Sequence, residues 1–202
     1  MSPSELPLFP LGTVLFPGGP LSLRIFEPRY LDMVRRCLRE QSSFGVVLIL
    51  EGAEVGAVAA VADTGTSARL VDFDTLADGL LGVVCVGERR FRVLRRWQQS
   101  DGLHLAEVDY LPEEARQALP GEFAHLGELL RELLSKLGGA YAYVEAHYDD
   151  AGWVGNRWAE ILPLAPAERL ALLELADPLA RLAQVAAWSA RQGAGGRTPT
   201  RR

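Results

Sequence analysis

The chain has 202 residues, 49% of them hydrophobic and 23% charged, with a formal net charge of −5. That balance describes an ordinary globular protein. It weighs against a nucleic-acid surface, and the absence of any apolar run of about 18 residues weighs against a membrane span. Cys37 and Cys85 stand far apart without partners at metal-ligand spacing, so two reduced, buried cysteines are expected. The opening MSPSELPLF lacks the basic-then-apolar pattern of a secretory leader, and a cytoplasmic location is the expectation.

Residues 6–30, LPLFPLGTVLFPGGPLSLRIFEPRY, hold short apolar runs at 6–9, 14–16 and 21–25, separated by proline and glycine. These read as short buried strands divided by forced turns. Pro10, Pro17 and Pro20 each remove a ladder donor, so the strands must end there or lie at an edge. Glu27-Pro28 opens a helix over 28–40, on which Tyr30, Leu31, Val34, Cys37 and Leu38 share one face. Residues 44–50 form a continuous apolar run, read as a buried strand. Residues 51–65 are rich in small residues and read as a loop with a weak strand.

From 66 to 110 the pattern is an antiparallel meander, with turn signals at 77–79 and 100–102. Gly87 inside its strand suggests a bulge or bend. A polar connector occupies 112–122. Phe123, Leu126, Leu130, Leu133, Leu134 and Leu137 then trace a long helix that stops at Gly138-Gly139. A short helix is expected over 141–148, closed by a turn at 149–152. Trp153, Trp158, Ile161 and Leu162 mark a third helix. Ala165-Pro166 and Asp177-Pro178 place prolines at two further helix starts, with Asp177 as a cap. Strands first and helices second argue an α+β fold, with a β-rich part over 1–111 and a helical part over 112–190. Residues 191–202, RQGAGGRTPTRR, carry Arg191, Arg197, Arg201 and Arg202 without an acid and read as a disordered basic tail.

The string over 6–30 resembles the opening of the N-terminal domain of the ATP-dependent Lon protease family. The resemblance continues in GVVLI (45–49), GTSARLVDF (65–73), DGLLGVVCVGERRFRVL (78–94), WVGNRWAEILPL (153–164) and AERLALLELADPLARL (167–182). It implies a twisted, PUA-like β-pseudobarrel enclosing one helix, followed by a helical bundle. It also implies a module that recognises proteins or unfolded polypeptides, acting here as an adaptor in protein quality control. RNA binding by a PUA-like protein is the alternative that the fold suggests, although the acidic balance opposes it and nucleic acid is not expected as a partner.

Catalytic chemistry is not expected. The sole lysine, Lys136, is preceded by no phosphate-binding loop, and its neighbour Ser135 diverges from it by about 100° on a helix, which rules out a Ser–Lys dyad. His104, His125 and His147 have no metal-ligand spacing, so no metal and no cofactor are expected. Two groups are candidates for partner binding. Trp153 and Trp158 could anchor a polypeptide, with core packing as the competing use. Arg92, Arg95 and Arg96, interleaved with Phe91 and Trp97, form a basic strip that the acids of neighbouring strands could neutralise.

Overall fold

The computed structural model describes residues 4–54 and 58–195. It is α+β, with six strands followed by most of the helices. The strands are β1 (Ser4–Leu11), β2 (Pro20–Ile25), β3 (Phe44–Gly52), β4 (Val58–Thr75), β5 (Leu81–Gln98) and β6 (His104–Tyr110). Helix α1 (Pro28–Glu40) lies between β2 and β3. Helices α2 (Ala124–Leu137), α3 (Ala151–Ile161), α4 (Pro166–Glu174) and α5 (Pro178–Gly195) follow β6.

The sheet closes on itself. In hydrogen-bonded order it runs β2-β5-β4-β3-β1-β6, and β6 also pairs with β5. Five strands therefore form a ring, and β2 is an appendage on the first half of β5. All pairings are antiparallel except β1 with β3.

The prolines of β1 show how its sequence suits this place. β1 pairs with β6 from Ser4 to Leu8, then with β3 from Leu8 to Leu11. Pro7 falls where only β6 is a partner, and Pro10 where only β3 is. Each missing N–H thus costs no ladder bond on a second side, so a strand inside the ring carries two prolines. The expected edge character is local to each proline and does not extend to the whole strand.

Residues 14–16, expected as a strand, are buried but unpaired. Val14 and Phe16 instead pack with Ala159, Leu164, Leu172, Leu173 and Val185, while Leu15 joins the core around α1. The expected loop over 51–65 is largely strand, because β3 runs to Gly52 and β4 begins at Val58. The bulge expected near Gly87 is present: Thr66 opposes Arg90 while Ala68 opposes Gly87. Gly87 is also where the PGGP turn docks, through Gly18 N–H to Gly87 O (2.7 Å) and Gly87 N–H to Gly19 O (2.9 Å). A Cβ on Gly87 would overlap the Phe16 carbonyl.

α1 buries Tyr30, Met33, Val34 and Cys37 against Phe9, Ile25, Phe44, Val46, Val83 and Cys85 of the strands. Phe9 and Tyr30 stack with ring centroids 4.1 Å apart. A second cluster, led by Leu8, Val47, Phe91 and Val108, fills the other side of the ring strands.

In the helical part, α2 begins one residue later than the apolar face suggested, after a single 3-10 turn at Gly121–Phe123. The helix expected over 141–148 is only a 3-10 turn, Gly139–Tyr143. The polar run at 149–152 does not close it. Asp150 instead caps α3, its Oδ1 accepting the Trp153 N–H at 2.7 Å, which starts that helix at Ala151. Asp177 caps α5 as expected, accepting from the Leu179 N–H at 2.9 Å. α5 runs on to Gly195, so residues 191–195 of the expected tail are helical, and the remainder lies outside the described residues.

Candidate functional site

Two concave regions stand out. The first is a cleft of about 660 Å³ at the junction of the β-rich and helical parts, walled by Pro17, Gly18, Leu111, Pro112, Trp153 and Asn156. Buried ions hold its sides together. Glu114, on the connector after β6, bridges Arg90 of β5 (2.9 Å) and Arg181 of α5 (2.8 Å). Arg90 also donates to the carbonyls of Leu173 (2.8 Å) and Leu175 (2.7 Å), and Arg181 to that of Leu172 (2.9 Å). One carboxylate and several helix-end carbonyls thus satisfy two buried guanidinium groups, the condition under which such charges are tolerated.

A second clamp lies beside the first. Arg157 of α3, fully buried, pairs with Glu160 at 2.7 Å and donates to the Pro17 carbonyl at 3.0 Å. Burial pushes the Glu160 carboxyl above the ordinary carboxylate range, with Arg157 opposing. Gly19 lies directly on this pair, and a Cβ there would overlap the Glu160 carboxylate. The two glycines between the prolines are therefore needed for close approach to α3. Arg90, Arg181 and Glu114 thus serve the joint between the parts, while Glu88, Arg89, Glu113, Arg116 and His147 also line the cleft, and Trp153 Nε1, Asn156 Oδ1 and Arg157 Nη1 are buried there without a hydrogen-bond partner.

The second region is an open apolar trough of about 650 Å³ on β2, β4, β5 and the β4–β5 turn. Its residues include Leu23, Phe73, Leu76, Val83 and Val84, with Asp72, Asp74 and Asp78 on the rim. The register places Leu23, Val83 and Phe73 side by side across three strands. Val83 and the half-buried Leu23 belong to the α1 core, whereas Phe73 overhangs it and is 59% exposed. Leu76 folds over Gly82, within 2.7 Å of where a Cβ would stand. Arg24 is ion-paired with Asp78, and the Tyr143 hydroxyl donates to Asp72. The rim holds three carboxylates and one guanidinium, so the trough is apolar with a negative border. Such a surface suits apolar, basic segments.

Of the residues singled out from sequence, Trp153 lines the junction cleft, whereas Trp158, Arg92, Arg95 and Arg96 line neither region, and the five are not brought together. Trp153 is 7% exposed and packs edge-on to Tyr148, with centroids 5.0 Å apart. Trp158 is half-buried, its Nε1 donating to the Leu126 carbonyl at 3.1 Å. Both join helices to one another. Arg92 and Arg95 are exposed on β5 opposite Asp109 and Glu107 of β6. A bulge between Val93 and Arg95 then turns Arg96 to the other face, opposite buried Ala106, where it donates to the Val61 carbonyl at 3.3 Å. The strip is divided between two faces, and acids stand opposite two of its three arginines.

Phe73, Glu114 and the buried arginines were not legible as a set. The available signals were small: an arginine inside the apolar run of α5, and a phenylalanine between two aspartates.

Comparison with known proteins places this geometry. A family model described as the ATP-dependent protease La (LON) substrate-binding domain matches residues 5–188. Lon protease 2 of Myxococcus xanthus is 28% identical over 188 residues, which cover 89% of this chain and 23% of that protein. The protein cereblon of Danio rerio is 30% identical over 116 residues, 55% of this chain and 26% of its own length. The chain thus spans about a quarter of the length of these relatives. Among solved structures, a Lon N-terminal domain protein from Xanthomonas campestris is 43% identical with a TM-score of 0.75, covering 92% of this chain and 98% of that one. On this match of nearly its whole length, the chain belongs to the Lon substrate-binding domain family.

Proposed function

We propose that the protein binds unfolded or partly unfolded polypeptide segments and has no catalytic activity of its own, acting as an adaptor in cytoplasmic protein quality control. The observation that carries this reading is the trough: a member of a substrate-binding family exposes Phe73 in an apolar groove with an acidic rim. In this reading the closed sheet is a PUA-like barrel, and the helical part over 112–190 is a bundle that braces it. The contact surface is the trough, while Trp153 and Trp158 serve the bundle. Acids opposite Arg92 and Arg95 weigh against a single-stranded RNA track.

The test is fluorescence anisotropy with a labelled, reduced and carboxymethylated model polypeptide. Wild-type protein should bind it, and Phe73→Ser should weaken binding at least tenfold. Equal binding by the variant would remove the trough from the reading, and no binding by wild type would remove the function. Incubation of purified protein with casein, with and without ATP, should leave casein intact. Cleavage would overturn the non-catalytic assignment.

A further inference from the structure

We infer that the junction cleft is a binding site for a carboxylate carried beside an N–H group, the arrangement found at the C-terminus of a polypeptide and in a free N-acyl amino acid. This site is separate from the trough and does not depend on the polypeptide-binding reading.

Unspent polar groups gather at the cleft. Among the described residues, Arg89 Nε, Trp153 Nε1, Asn156 Oδ1 and Arg157 Nη1 are buried atoms without a hydrogen-bond partner. Trp153, Asn156 and Arg157 are each more than nine-tenths buried. Buried polar groups are nearly always paired, and an unpaired one carries a free-energy cost that a partner would remove.

Helix geometry explains why three of these groups meet. Positions 153, 156 and 157 lie three and four residues apart and so share one face of α3. That face meets the PGGP turn: a Cβ on Gly18 would stand 3.2 Å from Arg157 Nη1 and 3.8 Å from Trp153 Nε1. Gly18, Trp153 and Asn156 wall the cleft, and Arg89 joins them from β5. The Trp153 ring packs with Tyr148 among the helices, but its N–H is left unspent on the Gly18 side. Glu160 takes Nε and Nη2 of Arg157, which leaves Nη1.

Three of the four atoms are donors, two of them on guanidinium groups, and one is an acceptor. The complement is an anion with an N–H of its own. Glu88, Glu113, Glu114 and Asp150 also line the cleft, which opposes a dianion such as phosphate and favours a single negative charge. Pro17, Leu111 and Pro112 offer an apolar wall to a side chain beside the carboxylate. In this fit the carboxylate accepts from Trp153 Nε1 and Arg157 Nη1, and Asn156 Oδ1 accepts the neighbouring N–H. The Gly18 backbone lies against both donors, so the ligand edges it aside; a glycine adapts readily and has no side chain to displace. The cleft volume of about 660 Å³ suits a small ligand or a chain end.

The experiment follows the Trp153 indole N–H of the full chain by nitrogen-edited NMR, assigned through its loss in Trp153→Phe. The probes are N-acetyl-leucine, its amide, isocaproate, and acetyl-Ala-Ala-Ala-Leu with a free or an amidated C-terminus. N-acetyl-leucine and the free peptide should shift the indole resonance saturably. Both amides should bind at least tenfold more weakly for want of the carboxylate, and isocaproate at least threefold more weakly than N-acetyl-leucine for want of the N–H. A peptide affinity at least tenfold above that of N-acetyl-leucine would assign the site to chain ends, and anything less to the free acid. Asn156→Leu should weaken N-acetyl-leucine at least fivefold while its unfolding midpoint stays at or above that of wild type, because an unpaired acceptor has been removed.

No indole shift with either free acid, equal affinity for acids and amides, or a lower midpoint in Asn156→Leu would overturn the inference. Phe73→Ser, which alters the trough, should leave N-acetyl-leucine binding unchanged, so this site and the trough reading stand or fall separately.

Discussion

The junction cleft and the β2 trough are hollows of similar volume with opposite organisation. At the cleft, Arg90, Arg157 and Arg181 are buried and Glu114 and Glu160 half-buried, and they pair with one another and with backbone carbonyls, Arg157 Nη1 alone among these groups being left without a partner. In the trough, charges sit on an exposed rim and the central aromatic, Phe73, stands outside the core. Desolvated charge in one place has to be matched by protein groups already present, so it specifies a joint. Exposed apolar surface in the other place is unmatched within the chain, so it is available to something outside. Hydrophobic exposure, more than charge density, separates the proposed binding surface from the scaffold here.

The comparison breaks first at Glu114. Glu114→Ala leaves Arg90 and Arg181 buried without their carboxylate and should cost about 3–5 kcal/mol in chemical denaturation. A midpoint unchanged within error would mean that the junction is not held by this network.

Titration of Cys85 comes next. Burial pushes its thiol up to about 12, so the folded state keeps the proton that the unfolded chain loses above pH 9. The stabilisation is complete below pH 9 and is lost as pH rises toward 12, by up to ~1.4 kcal/mol per pH unit. The stability–pH slope above pH 9 should be shallower in Cys85→Ala; identical slopes would contradict the assignment.

Gly19→Ala drives a methyl group into the Glu160 carboxylate and should destabilise by roughly 1–3 kcal/mol. A neutral effect would show that the PGGP turn can lift from α3. The smallest shift belongs to Phe73→Ser, within about 0.5 kcal/mol of wild type by thermal or urea unfolding. A large loss there would mean that Phe73 is a core residue and that the trough is not a free surface.

Much of the fold was legible because periodicity and punctuation report local geometry. The α1 face, the two tight turns of the meander, the Asp177 cap and the strands-then-helices order all follow from neighbouring residues. What failed was decided by distant partners. Residues 14–16 have the composition of a strand, but beside the docked PGGP turn Val14 and Phe16 pack with residues of α3 and α4 and Leu15 with the α1 core, so they bury side chains without pairing. The run at 149–152 looked like a closing turn because the use of Asp150 depends on where α3 must begin.

The candidate site was harder to read. Trp153 and Trp158 are the residues that composition nominates for an interface; both pack among the helices, Trp153 buried at the wall of the junction cleft and Trp158 half-buried. Phe73 shows nothing unusual in sequence. Its exposure arises because β4 outlasts the core it shares with Val83 and Leu23.

The division of β1 between β6 and β3 has a consequence for synthesis. Leu6 aligns with Ala106, and Leu8 with both Gly45 and His104. The first of these six strands to be made can take up its parallel partner early, but its other half must wait for nearly the whole β-rich region. Such long-range closure is entropically late and slow. During that interval residues 4–8 and the far half of β5 are open ladders. A ribosome paused before residue 104 would hold a nascent chain whose unfinished ring is itself the kind of extended, apolar segment that a polypeptide binder selects.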